Sequence, residues 1–194
     1  MARPREFDID EVLVKSMQVF WSEGYDGTSL SDIMEATKLQ KGSIYKAFKD
    51  KHSLFLASLE HYLRMAHEFD KKHLDNSNSP RKAIHSWLHS DLKAVCGQTL
   101  KRGCLMINSL NDRAYRDEEV KNLISDHISD LEKLLAKAIK RGQEIGEFRD
   151  DIKPTETAKI IISLLVGIIT LTKGPLSNNQ SLKIVNNILK MIEP

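Results

Sequence analysis

Apolar residues recur along this chain at spacings of three and four, as on helices that bury one face. Ile9, Val12, Leu13, Met17, Phe20 and Trp21 form the first stripe, with Asp8 placed to cap its start and Gly24 to stop it. Asp26-Gly27 reads as a turn. Thr28 is expected to cap a short second helix that buries Leu30, Ile33 and Met34. After a break at residues 37–42, a third short helix carries Ile44, Tyr45 and Phe48. A longer helix is predicted from Lys51 toward Leu74, on the stripe Leu54, Phe55, Leu59, Tyr62, Leu63 and Phe69. Residues 75–80, Asp-Asn-Ser-Asn-Ser-Pro, form the clearest linker, because each of them favours a turn. Further helices are expected near 81–95, over 104–110, from Asp117 to Gly142, after Pro154, and on a last stripe of Leu182, Val185, Ile188, Leu189 and Ile192. Gly97 and Gly103 bracket a break. With no strand-like alternation and no fixed-period repeat, the expected fold is all-α, with about nine helices.

Composition narrows the class. Of 194 residues, 41% are apolar and 29% charged, which suits a globular chain and argues against disorder. Nine glycines and five prolines are too few for the turns of an all-β protein. A chain this long can bury enough surface to fold without disulfides or metal. Cys96 and Cys104 cannot build a disulfide framework, which fits a reducing compartment. The charged start, Met-Ala-Arg-Pro-Arg-Glu, has no apolar stretch behind it, so no signal peptide and a cytoplasmic location are expected. The longest apolar run, residues 160–171, is bracketed by Lys159 and Lys173 and includes Ser163, Gly167 and Thr170. It falls short of the roughly 20 residues a bilayer requires, so a buried helix rather than a membrane anchor is expected.

Charge changes the picture locally. The chain carries a net +2, yet residues 36–51 hold Lys38, Lys41, Lys46, Lys49 and Lys51 against Asp50 alone. Arg3 and Arg5 add a basic N-terminal arm. Lysines on short helices are commonly just a solvated face. Here they coincide with two short helices separated by a few residues, the layout of a helix-turn-helix whose second helix enters the major groove.

The stretch of residues 24–55, GYDGTSLSDIMEATKLQKGSIYKAFKDKHSLF, resembles the DNA-binding domain of TetR/AcrR-family transcriptional regulators. The resemblance is carried by Gly24-Tyr25, Thr28, Ile33, Gly42-Ser43-Ile44-Tyr45, Phe48 and Lys51. One departure is Ala47, where many members carry His or another polar residue. The resemblance implies a helix-turn-helix domain over residues 1–50 and a helical ligand-binding and dimerisation domain over 51–194. It further implies a DNA-binding regulator, a repressor released from a near-palindromic operator by a small effector. Thr28, as cap, is then expected to hold a phosphate together with nearby backbone N–H groups. Gln40, Lys41 and Ser43 are candidates for base edges, and Gly42 lets the backbone approach DNA closely. Tyr45 and Lys46 straddle base and phosphate, whereas Lys49 and Lys51 clamp phosphates. Ile33, Ile44 and Phe48 are core.

The remainder of the chain supports a homodimer. Ile160, Ile161, Ile162, Leu164, Leu165, Val166, Ile168 and Ile169 wrap all sides of one helix, which must then be buried all round. With the final helix it would form a four-helix interface between two copies, as the resemblance also implies. The central helix of a monomeric core is the plainer alternative. A pocket between the long helices is expected to be lined by Tyr62, Met65, Phe69, Trp87, Cys104, Ile107, Asn108 and His127. No two basic residues converge there, so a small, largely apolar ligand is expected. Cys104 at a helix start would have a lowered thiol pKa and could sense oxidants or electrophiles. A small buried hydrophobe is the simpler reading of that cysteine. His85 and His89 stand at i, i+4 but lack a third ligand at a recognisable spacing, so no metal is expected. No cofactor and no catalytic residues are expected either: a phosphate loop, an activated serine and clustered carboxylates are all missing from the pattern. A helical ligand-binding protein whose helix-turn-helix does not bind DNA remains the third alternative.

Overall fold

The computed structural model describes residues 7–75, 78–96 and 102–194, together with the backbone but not the side chain of Cys96. Arg3 and Arg5 of the basic arm, Asn76 and Ser77 of the linker, and Gly97 lie outside the described residues.

Nine helices and no strands occur among the described residues. The first three, α1 (Ile9–Gly27), α2 (Leu30–Thr37) and α3 (Lys41–Phe48), form a head. α4 (Lys51–Leu74) leads from it into a body of α5 (Pro80–Cys96), α6 (Leu105–Asp112), α7 (Glu118–Glu144), α8 (Pro154–Thr172) and α9 (Asn178–Ile192).

The caps explain most of the boundaries. Asp8 accepts the Asp10 amide at 2.9 Å and starts α1 as expected. Gly24 breaks the helical path at φ 72°, a conformation that a Cβ would strain, and a single turn follows it. Asp50 accepts the Ser53 amide at the head of α4, and Asp117 accepts the Val120 amide at the head of α7. Pro154 occupies the first turn of α8. One expected cap is corrected. Ser29, not Thr28, caps α2, in a reciprocal box in which Ser29 accepts the Asp32 amide and Asp32 accepts the Ser29 amide. Thr28 is buried, and its hydroxyl donates 2.7 Å to the Gly24 carbonyl.

Head and body share one continuous apolar core. It runs from Leu13, Met17 and Phe20 of α1 through Ile33, Ile44 and Phe55 to Leu135, Ile161 and Val185 in the body. Phe20 meets Phe55 edge-on, with ring centroids 5.1 Å apart, fixing α1 across α4. Gly142 near the end of α7 is pressed against the Phe148 ring, and a Cβ there would stand 2.1 Å from Cδ2.

α8 differs from the expectation of burial all round. By length and composition it could cross a bilayer, and in this fold one face, Ile161, Ile162, Leu165, Ile168 and Ile169, packs into the core. The other face leaves Ile160 at 58% exposure, Leu171 at 47% and Leu164 at 39%. α9 adds exposed Ile184 and Met191. Of the eight apolar residues in the stripe, five are buried within the subunit, Val166 is half-buried, and Ile160 and Leu164 are exposed.

Candidate nucleic-acid interface and core cavity

α3 is held by Ile44, which is 1% exposed, and by half-buried Phe48. The opposite side presents Gln40, Lys41, Gly42, Tyr45, Lys46 and Lys49 to solvent, with Ser43 half-buried at the edge. None of Lys41, Lys46 and Lys49 makes an ion pair among the described residues. The Lys41 ammonium lies 5.5 Å from the centre of the Tyr45 ring. Gln40 occupies the cap position of α3 without a side-chain capping bond. A Cβ at Gly42 would meet nothing within 4 Å, so that side of the helix is open to close approach. The turn before α3 contains Lys38 in the left-handed region, at φ 59°.

Two expected phosphate contacts sit apart from this face. Thr28 is enclosed, and the start of α2 already carries the Asp32 carboxylate, which a phosphate would have to displace. Lys51 is half-buried, with its ammonium 4.5 Å from the centre of the Tyr25 ring. The Arg113 guanidinium lies 4.2 Å from the same ring.

Arg113 belongs to a cluster that ties the head to the body. Asp117 Oδ2 receives Arg113 Nη2 at 3.0 Å and stands 2.9 Å from His52 Nε2 at the start of α4. Asp26, at the end of α1, pairs with both Arg113 and Arg116. Burial alone would raise the Asp117 pKa, but its bonds to His52, Arg113 and the Val120 amide outweigh that, and its carboxyl is held below the usual range.

A cavity of about 380 Å³ lies between the body helices and α1. Seven of the eight expected residues line it: Tyr62, Met65, Phe69, Trp87, Cys104, Ile107 and His127. Asn108 does not. Its Nδ2 donates 2.9 Å to the Arg102 carbonyl and its Oδ1 accepts from Lys173, so the side chain is held within the α6 entry loop and by the end of α8. Cys104 stands 3.2 Å from the Tyr62 hydroxyl. Although Cys104 opens α6, burial pushes its thiol pKa up, contrary to the lowered value expected of a helix start.

Among the lining residues that the sequence did not point to, two groups bear on function. Met17, Gln18 and Trp21 bring α1 of the head directly to the cavity. The Trp21 indole donates 3.2 Å to the Gly103 carbonyl, closing that wall. The other group is acidic: Asp70 on α4 and Asp91 on α5. Asp70 Oδ1 accepts the Trp87 indole N–H at 2.8 Å, whereas its buried Oδ2 has no hydrogen-bond partner among the described residues. Burial, against the Trp87 bond and aided by Asp91, raises the Asp70 pKa to about 7. Burial likewise raises Asp91 to about 6. The signal was in the sequence, since Asp70 interrupts the buried stripe between Leu63 and Leu74.

Residues 12–58 match the family model for bacterial regulatory proteins of the tetR family, and residues 80–180 match that for the tetracyclin repressor-like C-terminal domain. The HTH-type transcriptional repressor ComR of Escherichia coli K12 is 25% identical over 190 residues, covering 97% of this chain and 90% of that one. The HTH-type transcriptional repressor DhaR of Mycobacterium sp. GP1 is 26% identical, covering 80% and 77%. Among solved structures, a cysteine mutant of the TetR family transcriptional regulator CifR, complexed with a 26-base-pair double-strand operator DNA, superposes with a TM-score of 0.85 at 28% identity. It covers 98% of this chain and all of that one. With a family model matching more than half of its length and a second matching its head, this chain belongs to the TetR family of bacterial regulatory proteins.

Proposed function

We propose that this protein is a DNA-binding transcriptional repressor that acts as a two-fold dimer and leaves its operator when a small, largely apolar effector fills the body cavity. The observation that carries this reading is the outward face of α3, where Gln40, Lys41, Tyr45, Lys46 and Lys49 stand exposed around a buried Ile44. A lysine can donate to guanine O6 and N7, and a glutamine can pair with adenine through two bonds. Gln40, Lys41 and Ser43 are therefore assigned to base edges, Tyr45 and Lys46 to the groove rim, and Lys49 to a phosphate. Lys51 reaches a phosphate only by leaving Tyr25, and Thr28 supports the head from inside.

The open apolar face of α8, continued by Ile184 and Met191 of α9, supports a second copy as its cover. Such a dimer sets its two α3 helices about 34–36 Å apart, one turn of the duplex, and so favours a near-palindromic site. Because α1 lines the cavity with Met17, Gln18 and Trp21, a ligand touches an element of the head itself. Effector binding then favours a state in which α1 and α4 tilt and the α3 spacing no longer matches the groove. A nearly complete switch requires about 5.5 kcal/mol of preference for that state.

The domain division follows the same logic: residues 1–50 bind DNA, and residues 51–194 dimerise and bind effector. The thiol-sensor alternative is disfavoured, because Cys104 is buried and its thiol pKa is raised. A gel-shift titration across the DNA upstream of the protein's own gene tests the proposal. Selective binding is expected, with log affinity falling by roughly 0.9 per log unit of salt for each phosphate engaged. Tight effector binding without any DNA retention would instead mark a helical ligand-binding protein.

A further inference from the structure

We propose that the effector of this cavity is an amphiphilic amine, with a protonated N–H head seated on Asp70 Oδ2 and an apolar body among the aromatic side chains. The proposal rests on the reading of this cavity as the effector site. An apolar pocket needs no acids, yet this one contains two, on adjacent helices. Asp70 is bonded on one oxygen only, and its second oxygen is buried and unpartnered among the described residues. Buried carboxylates are strongly disfavoured unless a donor or a cation meets them.

The protein does not supply that partner. No lysine or arginine lines the cavity. Arg102, the guanidinium stacked on Trp21 at 4.6 Å, donates to Gln18 Oε1 at 2.7 Å and is held there. His127 Nε2 stands 3.9 Å from Asp70 Oδ2, beyond hydrogen-bond distance, and burial first and His67 second depress its pKa, favouring the neutral ring. Asp91 adds further negative charge. An anionic ligand is therefore repelled, and a purely apolar one leaves Oδ2 unsatisfied. Trp21, Tyr62, Phe69 and Trp87 complete the fit, since aromatic rings accept both an apolar body and an adjacent cation. The volume lies toward the small end of the roughly 300–1,000 Å³ typical of small-molecule pockets, which suits a single-ring amine.

The chain's two tryptophans, Trp21 and Trp87, both line the cavity, so intrinsic fluorescence reports its occupancy directly. Full-length protein is titrated with phenylbutylamine, phenylbutanol and phenylbutyrate at about pH 8, where the amine is protonated. The amine should bind about tenfold or more tighter than the alcohol, and phenylbutyrate should bind weakest. Asp70→Asn keeps an acceptor for Trp87, and Asp91→Asn is a second variant should the first not fold. Asp70→Asn should erase most of the amine preference and Asp91→Asn should weaken it only in part, each leaving phenylbutanol affinity within about twofold. Equal binding of amine and alcohol to the wild type, or an undiminished preference in a folded Asp70→Asn, overturns the proposal. The operator-release assay separates the two readings. If phenylbutanol binds and releases DNA without any amine advantage, the effector site stands and the amine falls. If the amine binds preferentially but never releases DNA, the amine stands and the regulatory reading falls.

Discussion

His52 at the start of α4 and Asp117 at the start of α7 meet at 2.9 Å, across the junction of head and body. Asp117 also caps α7 and receives Arg113, whose guanidinium lies against the Tyr25 ring. A single carboxylate thus links the start of α4, the start of α7 and, through Arg113, the end of α6. Because its folded pKa is depressed, Asp117 contributes stability that is present above the ordinary aspartate value. That stability is lost as pH falls through the folded value.

Asp117→Ala is expected to lower stability by about 1–2 kcal/mol through loss of the cap and its charged bonds. Chemical denaturation of wild type and variant across pH checks this. The gap should hold at neutral pH and narrow as pH falls below the ordinary aspartate value toward the lower folded one.

Asp70 has the opposite sign. Its folded pKa, about 7, lies above the unfolded value, so folding is favoured by the protonated form and weakens as pH rises through that range. Burial dominates: Asp91 on α5 adds to it, the Trp87 bond opposes it only in part, and the His73 charge acts on Asp91. Asp70→Asn should therefore gain about 1–4 kcal/mol over wild type at alkaline pH and nothing near pH 4, as read by melting temperature across pH.

Gly142→Ala is expected to destabilise by about 1–3 kcal/mol, because the added methyl group would overlap the Phe148 ring. Pairing it with Phe148→Leu should recover part of the loss in denaturant melts, since the obstacle is that ring and not the helix.

Helix order and boundaries were legible because caps and stripes are local. Asp8, Asp50, Asp117 and Pro154 mark helix starts through chemistry confined to one turn. Thr28 and Ser29 are adjacent hydroxyls, and only the acid three residues after Ser29 distinguishes the cap from its buried neighbour. Long-range packing was less legible. A stripe shows which side of α4 is buried but not that a gap opens against α1, so Met17, Gln18 and Trp21 escaped notice. Asn108 looked like a polar contact inside a pocket, whereas the Arg102 carbonyl and Lys173 already satisfy it. α8 is apolar on every side, so its sequence does not show which side packs within the subunit and which stays open.

Leu164→Lys places a charge in the middle of that open stripe. It should convert a dimer to a monomer in sedimentation at micromolar concentration while leaving the helical circular dichroism unchanged. DNA affinity should fall with it, since one head alone engages half of a site.

The most direct measurement is a hydroxyl-radical footprint of the full-length protein on the DNA upstream of its gene. Two protected half-sites are expected, centred about 10 base pairs apart and related by near two-fold symmetry, with both weakened together by Lys46→Ala. Protection of a single unpaired half-site, or a pattern unchanged by substitutions at Gln40, Lys41 and Lys46, would contradict the assignment of α3 as the reading helix of a dimer.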